Sequence, residues 1–292
     1  MRPARANVGL ATWLRVPLST AILAAICLAA LAAPSSAMSK VAPHRRTRPP
    51  VVLIVMENHE YGSIVGSASA PYLNQKFLPR GTLFTNYYAL HHPSLPNYLA
   101  MTSGTTSGCV SDVCPTKTYK TNNIFHQLWA AGVGWVSWQE SMPTPCAVNY
   151  SGSYAVKHNP AVYYANLFPK LCRRHDLPYP SQVPRHLQPF TYVTPNLCHD
   201  MHDCSIATGD RWLRDHVRPL LRAGAIVIIT FDEGSTSVGG GGHVMTAMAG
   251  PGVSAGTQDG RRFSHHGMLA GLERWFGVKR LHGAATARAL PI

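Results

Sequence analysis

"VVLIVMENHE", residues 51–60, opens with six apolar residues and then turns abruptly polar. Val51 to Met56 are all apolar and mostly β-branched, the composition of a strand buried on both faces of a parallel sheet. The run stops at Glu57 and Asn58, two oxygen donors. A second run of the same kind, "AIVIITF" (225–231), stops at Asp232 and Glu233. In open α/β sheets, ligands gather outside the carboxyl ends of the strands. Two buried strands that each finish in a pair of oxygen donors therefore point to four donors around one place. Either pair alone could equally cap a following helix.

Working outward, segments 82–89, 134–138, 189–194 and 243–249 read as further strands, with 243–249 expected to follow 225–231 in the sheet. Segments 122–131 and 210–221 have helical spacing. "SHHGMLAGLERWFG", from Ser264, reads as a capped helix ending at Gly277. The alternation predicts an α/β fold: a mostly parallel central sheet with helices on both faces, in a single domain over 51–292.

Composition agrees with a globular, loop-rich chain: 292 residues, 46% hydrophobic, 13% charged, with 24 Gly and 23 Pro. The first 37 residues read as an export signal, with Arg2, Arg5 and Arg15 ahead of an apolar run from Val16 to Ala33 and small residues at Ser35-Ser36-Ala37. The alternative for this run is an uncleaved membrane anchor. "KVAPHRRTRPP" (40–50) reads as part of a basic flexible leader over 38–50. Cleavage would leave no membrane-spanning segment and a protein in the medium or the cell envelope, expected to be monomeric. Six cysteines follow the signal, and an even number in an exported chain argues for disulfides. Cys109–Cys114 and Cys198–Cys204 are close enough to close small loops, which leaves Cys146–Cys172; no CxxC pair supports the rival reading of a structural zinc.

The formal net charge is +13, of which the signal carries three. A basic surface favours anionic partners or simply solubility. No helix-turn-helix, zinc finger or basic-aromatic stripe points to dedicated nucleic-acid binding.

A third wall is "HHPSLPNYLAMTSG" (91–104). Ser94 stands between prolines at the start of a helix-like segment, where free N–H groups and the macrodipole favour negative charge. It is either an N-cap or, beside a cation, a nucleophile toward phosphorus.

With these segments in order, "VVLIVMENHEYGSIVG", "HHPSLPNYLAMTSG", "KHNPAVYY", "NLCHDMHDCS", "IVIITFDEG", "GHVMTAMAGPG" and "FSHHGMLAGLERWFG", the chain resembles the phosphoesterase family that contains bacterial phospholipases C and acid phosphatases. That family's fold is similar to alkaline phosphatase. The resemblance implies that Glu57, Asn58, Ser94, Asp232 and Glu233 hold one divalent cation and that Ser94 is the nucleophile of a phosphoserine route. A set of hard oxygen ligands suits Mg, Ca or Mn, and Zn is also compatible. It further implies catalytic roles for His158 and His202, and phosphate contacts from Asn58, His158, Asn159 and one of His265 and His266. Asp200, His202 and His266 would form a second metal or phosphate shell. A full two-metal arrangement would want histidine after Asp232, whereas this chain has Glu233. One metal is therefore expected, with imidazoles replacing the other; protonated His158 or His202 would then give an acidic rate optimum.

The substrates implied are small phosphate esters or, alternatively, phospholipid head groups. For the latter, Trp135, Trp138, Tyr163 and Tyr164 could form an aromatic cage for choline or could be core. A non-catalytic protein binding polyanions or a cell surface is the reading from another class. Glu140 either lines the cleft or caps a turn. "GSTSVGGGGH" (234–243) is either a mobile flap or a surface loop.

Overall fold

The computed structural model describes residues 48–292. The expected signal segment and most of the leader lie outside the described residues. Among the described residues there are ten strands: β1 (Val51–Met56), β2 (Gly81–Phe84), β3 (Tyr87–Tyr88), β4 (Trp135–Gln139), β5 (Asp176–Pro178), β6 (Phe190–Thr194), β7 (Ile226–Phe231), β8 (Thr246–Ala249), β9 (Thr257–Asp259) and β10 (Phe263–Ser264). The α-helices are α1 (Tyr61–Ile64), α2 (Ser94–Ser103), α3 (Ile124–Ala130), α4 (Lys170–His175), α5 (Ile206–Arg222), α6 (His265–Phe276) and α7 (His282–Thr286).

Eight strands form one sheet in the order β5-β4-β6-β1-β7-β8-β2-β9, and β10 pairs with β3 separately. The apolar runs explain the centre. β1 and β7 are fully buried along their length, each such Val, Leu or Ile contributing roughly 1.5–3 kcal/mol. β1 lies between β6 and β7, parallel to both. β8 sits beside β7 as expected but runs antiparallel to it and to β2.

The segment expected as one strand over 82–89 is two. β2 ends at Phe84, where Thr85 N–H donates to the Asp259 carbonyl (3.0 Å) and the Asn86 side chain to the Gly260 carbonyl (3.1 Å). These bonds turn the chain out of the main sheet and place β3 against β10. At the other end, Arg48–Pro50 is docked rather than loose. The Pro50 carbonyl accepts from Ile226 N–H at 2.8 Å, and the Arg48 guanidinium lies 5.2 Å from the Trp275 ring centroid.

All three expected disulfides are formed: Cys109–Cys114, Cys146–Cys172 and Cys198–Cys204. The glycine-rich segment is not a free flap. Gly241 N–H donates to the Ala89 carbonyl and Ala89 N–H to the Gly242 carbonyl. A side chain on Gly240 (φ +114°) would meet the Leu90 carbonyl oxygen at 2.3 Å, so glycine here permits close backbone approach. Trp135, Trp138, Tyr163 and Tyr164 are buried in the core and form no cage. Among the described residues no helix is long and apolar enough to cross a membrane.

Candidate active site

The three central parallel strands deliver the candidate residues side by side. Register pairs Met56 with Phe231, so the next residues, Glu57 and Asp232, emerge together; Asp232 N–H donates to the Met56 carbonyl at 2.9 Å. On the other flank of β1, the loop after β6 carries Asp200 and His202. It is closed by Cys198–Cys204 and tied to β1 by Glu57 N–H donating to the Asp200 carbonyl at 2.9 Å.

Ser94 is the first residue of α2 and is not its cap. The capping position is Pro93, which supplies no side-chain bond. The Ser94 hydroxyl instead faces Glu57 Oε2 at 3.1 Å and Glu233 Oε1 at 3.3 Å. Asn58, with φ +56°, turns its backbone N–H onto Asp232 Oδ1 at 3.2 Å. Glu57, Ser94, Asp232 and Glu233 therefore surround one place, and all four are buried.

Glu57 uses its two oxygens in different directions. Oε2 faces Ser94, while Oε1 accepts from Tyr98 OH at 2.5 Å and lies 3.1 Å from His158 Nε2. His158 is stacked on Tyr98, with ring centroids 5.3 Å apart, and its Nδ1 lies 3.2 Å from Asp200 Oδ2. Glu57, His158 and His202 bring ligand atoms within 4.8 Å of one another. The second such group, Cys146, Cys172 and Asp176, is a disulfide beside a carboxylate and offers no thiolate.

Crowding shows in the acid–base behaviour. Burial, then the charges of Asp232 and Asp200, holds Glu57 well above the usual carboxylate range. Burial, then Glu233, does the same to Asp232, and burial pushes Asp200 up to about 7. Burial, followed by Lys157 and His202, pulls the His158 imidazole well below its usual value. Burial thus disfavours the imidazolium form of His158, the form that the expected acidic rate optimum would use. A neutral imidazole has one N–H, and neither of its approaches to Glu57 and Asp200 has hydrogen-bond alignment. His158 Nδ1 and Nε2, Asp200 Oδ2 and Asp232 Oδ2 are all buried without a hydrogen-bond partner. Orphaned polar atoms are rare in folded proteins and call for an ion or ligand. Four of them around a carboxylate cluster fit a cation-centred site with hard oxygen donors.

Other expected residues have different partners. Asn159 donates to Asp176 Oδ2 (2.8 Å) and Tyr154 OH (2.9 Å), so its amide is taken by a structural network. His265 has both ring nitrogens engaged, Nε2 on the Asp232 carbonyl (2.5 Å) and Nδ1 with Tyr87 OH (3.1 Å); it supports the loop that carries Asp232. His265 therefore has no nitrogen free for a shell with Asp200 and His202. The His266 ring packs against Gly283. Glu140 accepts from Asn196 N–H, His199 Nδ1 and Trp212 Nε1, tying the 196–199 turn to α5.

Four neighbours escaped the sequence reading. Tyr98 is one helical turn beyond Ser94, a spacing that could have revealed it. His92 bonds Glu233 Oε2 at 2.6 Å through Nδ1. Lys157 donates to Asp112 Oδ2 at 2.9 Å, and Asp112 Oδ1 accepts from Leu95 N–H at 3.0 Å; nothing local in the sequence marks this pair. A hollow of about 670 Å³ lined by residues including Thr82, Met248, Arg261 and Trp275 contains none of the cluster.

Comparison with known proteins agrees with this architecture. The model of the Phosphoesterase family matches residues 69–279, beginning after Glu57 and Asn58. The chain is 32% identical over 246 residues to a phosphatidylinositol-3-phosphatase of Mycobacterium tuberculosis, covering 81% of this chain and 80% of that protein. It is 29% identical to a probable acid phosphatase of Kluyveromyces lactis, over 76% of this chain but only 56% of the yeast protein. Its fold is similar to a solved protein of the alkaline phosphatase superfamily from Vibrio parahaemolyticus, with TM-score 0.57 at 13% identity over 82% of this chain and 70% of that one. The chain belongs to the phosphoesterase family of phosphoric ester hydrolases and has the α/β fold of the alkaline phosphatase superfamily.

Proposed function

We propose that this chain is an exported, metal-dependent phosphomonoesterase of the acid phosphatase type, working through a phosphoserine at Ser94. The observation that carries the reading is the Ser94 hydroxyl at the head of α2, 3.1 Å from Glu57 and 3.3 Å from Glu233. A divalent cation held by Glu57, Ser94, Asp232 and Glu233, with Asn58 at the rim, would lower the hydroxyl's pKa and neutralise charge on phosphoryl oxygens. Glu57 and Glu233 are placed to take the Ser94 proton as its oxygen attacks phosphorus. The Oγ–P bond forms, the P–O bond to the alcohol breaks, and the departing oxygen takes the proton that the carboxylate accepted from Ser94. Water then cleaves the phosphoserine, releasing inorganic phosphate and restoring the hydroxyl. The His158 imidazole, 3.1 Å from Glu57 and 3.2 Å from Asp200, is suited to pass a proton at this second step.

Three disulfides support export, with residues 1–37 as the signal and 51–292 as one domain. The buried tryptophans and tyrosines favour small soluble esters over choline phospholipids. The test measures hydrolysis of p-nitrophenyl phosphate and of phosphatidylcholine by wild type, Ser94→Ala and Asp232→Ala. The expected result is wild-type turnover of the monoester, lost by on the order of 10²-fold or more in each variant. Preferential cleavage of phosphatidylcholine would favour a phospholipase C, and an inactive wild type a binding protein.

A further inference from the structure

We infer that Lys157 is the fixed positive charge of this active site, contacting non-bridging phosphoryl oxygens from the His158–His202 side of Glu57, and that Asp112 positions it. The inference rests on the phosphoesterase reading above.

The Lys157 side chain is only 14% exposed, unusual for a residue whose ammonium normally stays in water. Its neighbour in the chain is His158, and its Nζ lies 3.5 Å from His202 Nε2, so it stands over the His158–His202 side of Glu57. An ammonium has three donors. One goes to Asp112 at 2.9 Å, the approach to His202 is long, and the third has no partner among the described residues. The charge is not cancelled by Asp112, because that carboxylate is shared. Its other oxygen binds Leu95 N–H at 3.0 Å, at the positive end of α2, immediately after Ser94. Counting the helix end as about half a charge, the assembly keeps a positive surplus facing the carboxylates. Asp112 thus fixes the nucleophile's helix and the ammonium relative to one another. Asp112 itself lies within the short loop closed by Cys109–Cys114.

Lys157→Met, Lys157→Arg and Asp112→Asn separate this role from simple structural support. Each is assayed for kcat and KM on p-nitrophenyl phosphate and for inhibition by orthovanadate, which adopts the five-coordinate geometry of phosphoryl transfer, and by inorganic phosphate. The expected result for Lys157→Met is a loss of about 10²-fold in kcat/KM, mostly in kcat. Vanadate inhibition should weaken by a similar factor, and phosphate inhibition by less than about tenfold. Lys157→Arg should recover most of the loss, and Asp112→Asn should fall between. A residue with only a structural role would lower thermal stability without changing the ratio of vanadate to phosphate affinity. Wild-type kinetics and an unchanged ratio in Lys157→Met overturn the inference and leave the Ser94 reading intact, provided Ser94→Ala is inactive. If Lys157→Met does not fold, wild-type kinetics in Asp112→Asn overturn the positioning, and a Lys157→Arg enzyme as impaired as Ser94→Ala overturns the charge assignment.

Discussion

Replacing Tyr98 with phenylalanine removes one oxygen atom from the centre of the cluster and leaves the rest of the side chain in place. The ring is fully buried and stacked on His158 at an interplanar angle of 14°, so its packing survives the change. The lost bond is the 2.5 Å donation from Tyr98 OH to Glu57 Oε1. A hydrogen bond to a charged group is worth about 1.5–3 kcal/mol. At about 1.36 kcal/mol per tenfold, that corresponds to a loss of roughly 10- to 150-fold if the bond serves to aim Glu57 at Ser94 and the cation. The assay is kcat/KM on p-nitrophenyl phosphate at saturating divalent metal, with a metal titration for half-maximal activity. Tyr98→Phe should lose activity in that range and need more metal. Both quantities within twofold of wild type would refute the reasoning that Tyr98 orients Glu57.

Further predictions concern the cation, the scaffold and pH. Incubation with a chelator should abolish turnover, and adding back Mg, Mn, Ca or Zn singly should restore it; full activity in chelated, metal-free protein would contradict a cation-centred site. Gly240→Ala should destabilise the protein by about 1–3 kcal/mol, because of its positive φ and the 2.3 Å approach to Leu90; an unchanged thermal midpoint would count against the pinned loop. Burial pushes Asp176 from the ordinary 3.8 up to about 7, so the folded chain keeps this proton to higher pH than the unfolded chain. The associated stability is complete below about pH 4 and is lost as pH rises through 7, about 4 kcal/mol in all. Urea denaturation from pH 4 to 8 should show wild type losing that much relative to Asp176→Asn, and a difference independent of pH would contradict it.

What the sequence disclosed follows from which forces are local. β1 and β7 were legible because a strand buried on both faces must be apolar at every position, and their tips carried the donors that the register brings together. The direction of β8 was not legible, since hydropathy has no sense of parallel or antiparallel. The break inside 82–89 depends on Asn86 meeting Gly260, a contact 174 residues away in the chain. In the site, Tyr98 obeyed helical spacing and was readable in principle. His92 and His91 are adjacent, and only the three-dimensional path selects the one that meets Glu233. Asp112 and Lys157 are isolated charges 45 residues apart, joined only by tertiary structure. His265 and Asn159 look like ligands in one dimension, but backbone and core partners use their polar atoms.

The central claim is that Ser94 carries the phosphoryl group in turnover, and it can be read directly. Enzyme mixed with a phosphate monoester and quenched in acid within a turnover is digested and its peptides are weighed. A phosphoryl group on Ser94, absent without substrate and absent from Ser94→Ala, is the expected result. A wild-type enzyme that turns over freely with no phosphorylated Ser94 peptide, beside an equally active Ser94→Ala, would contradict the account.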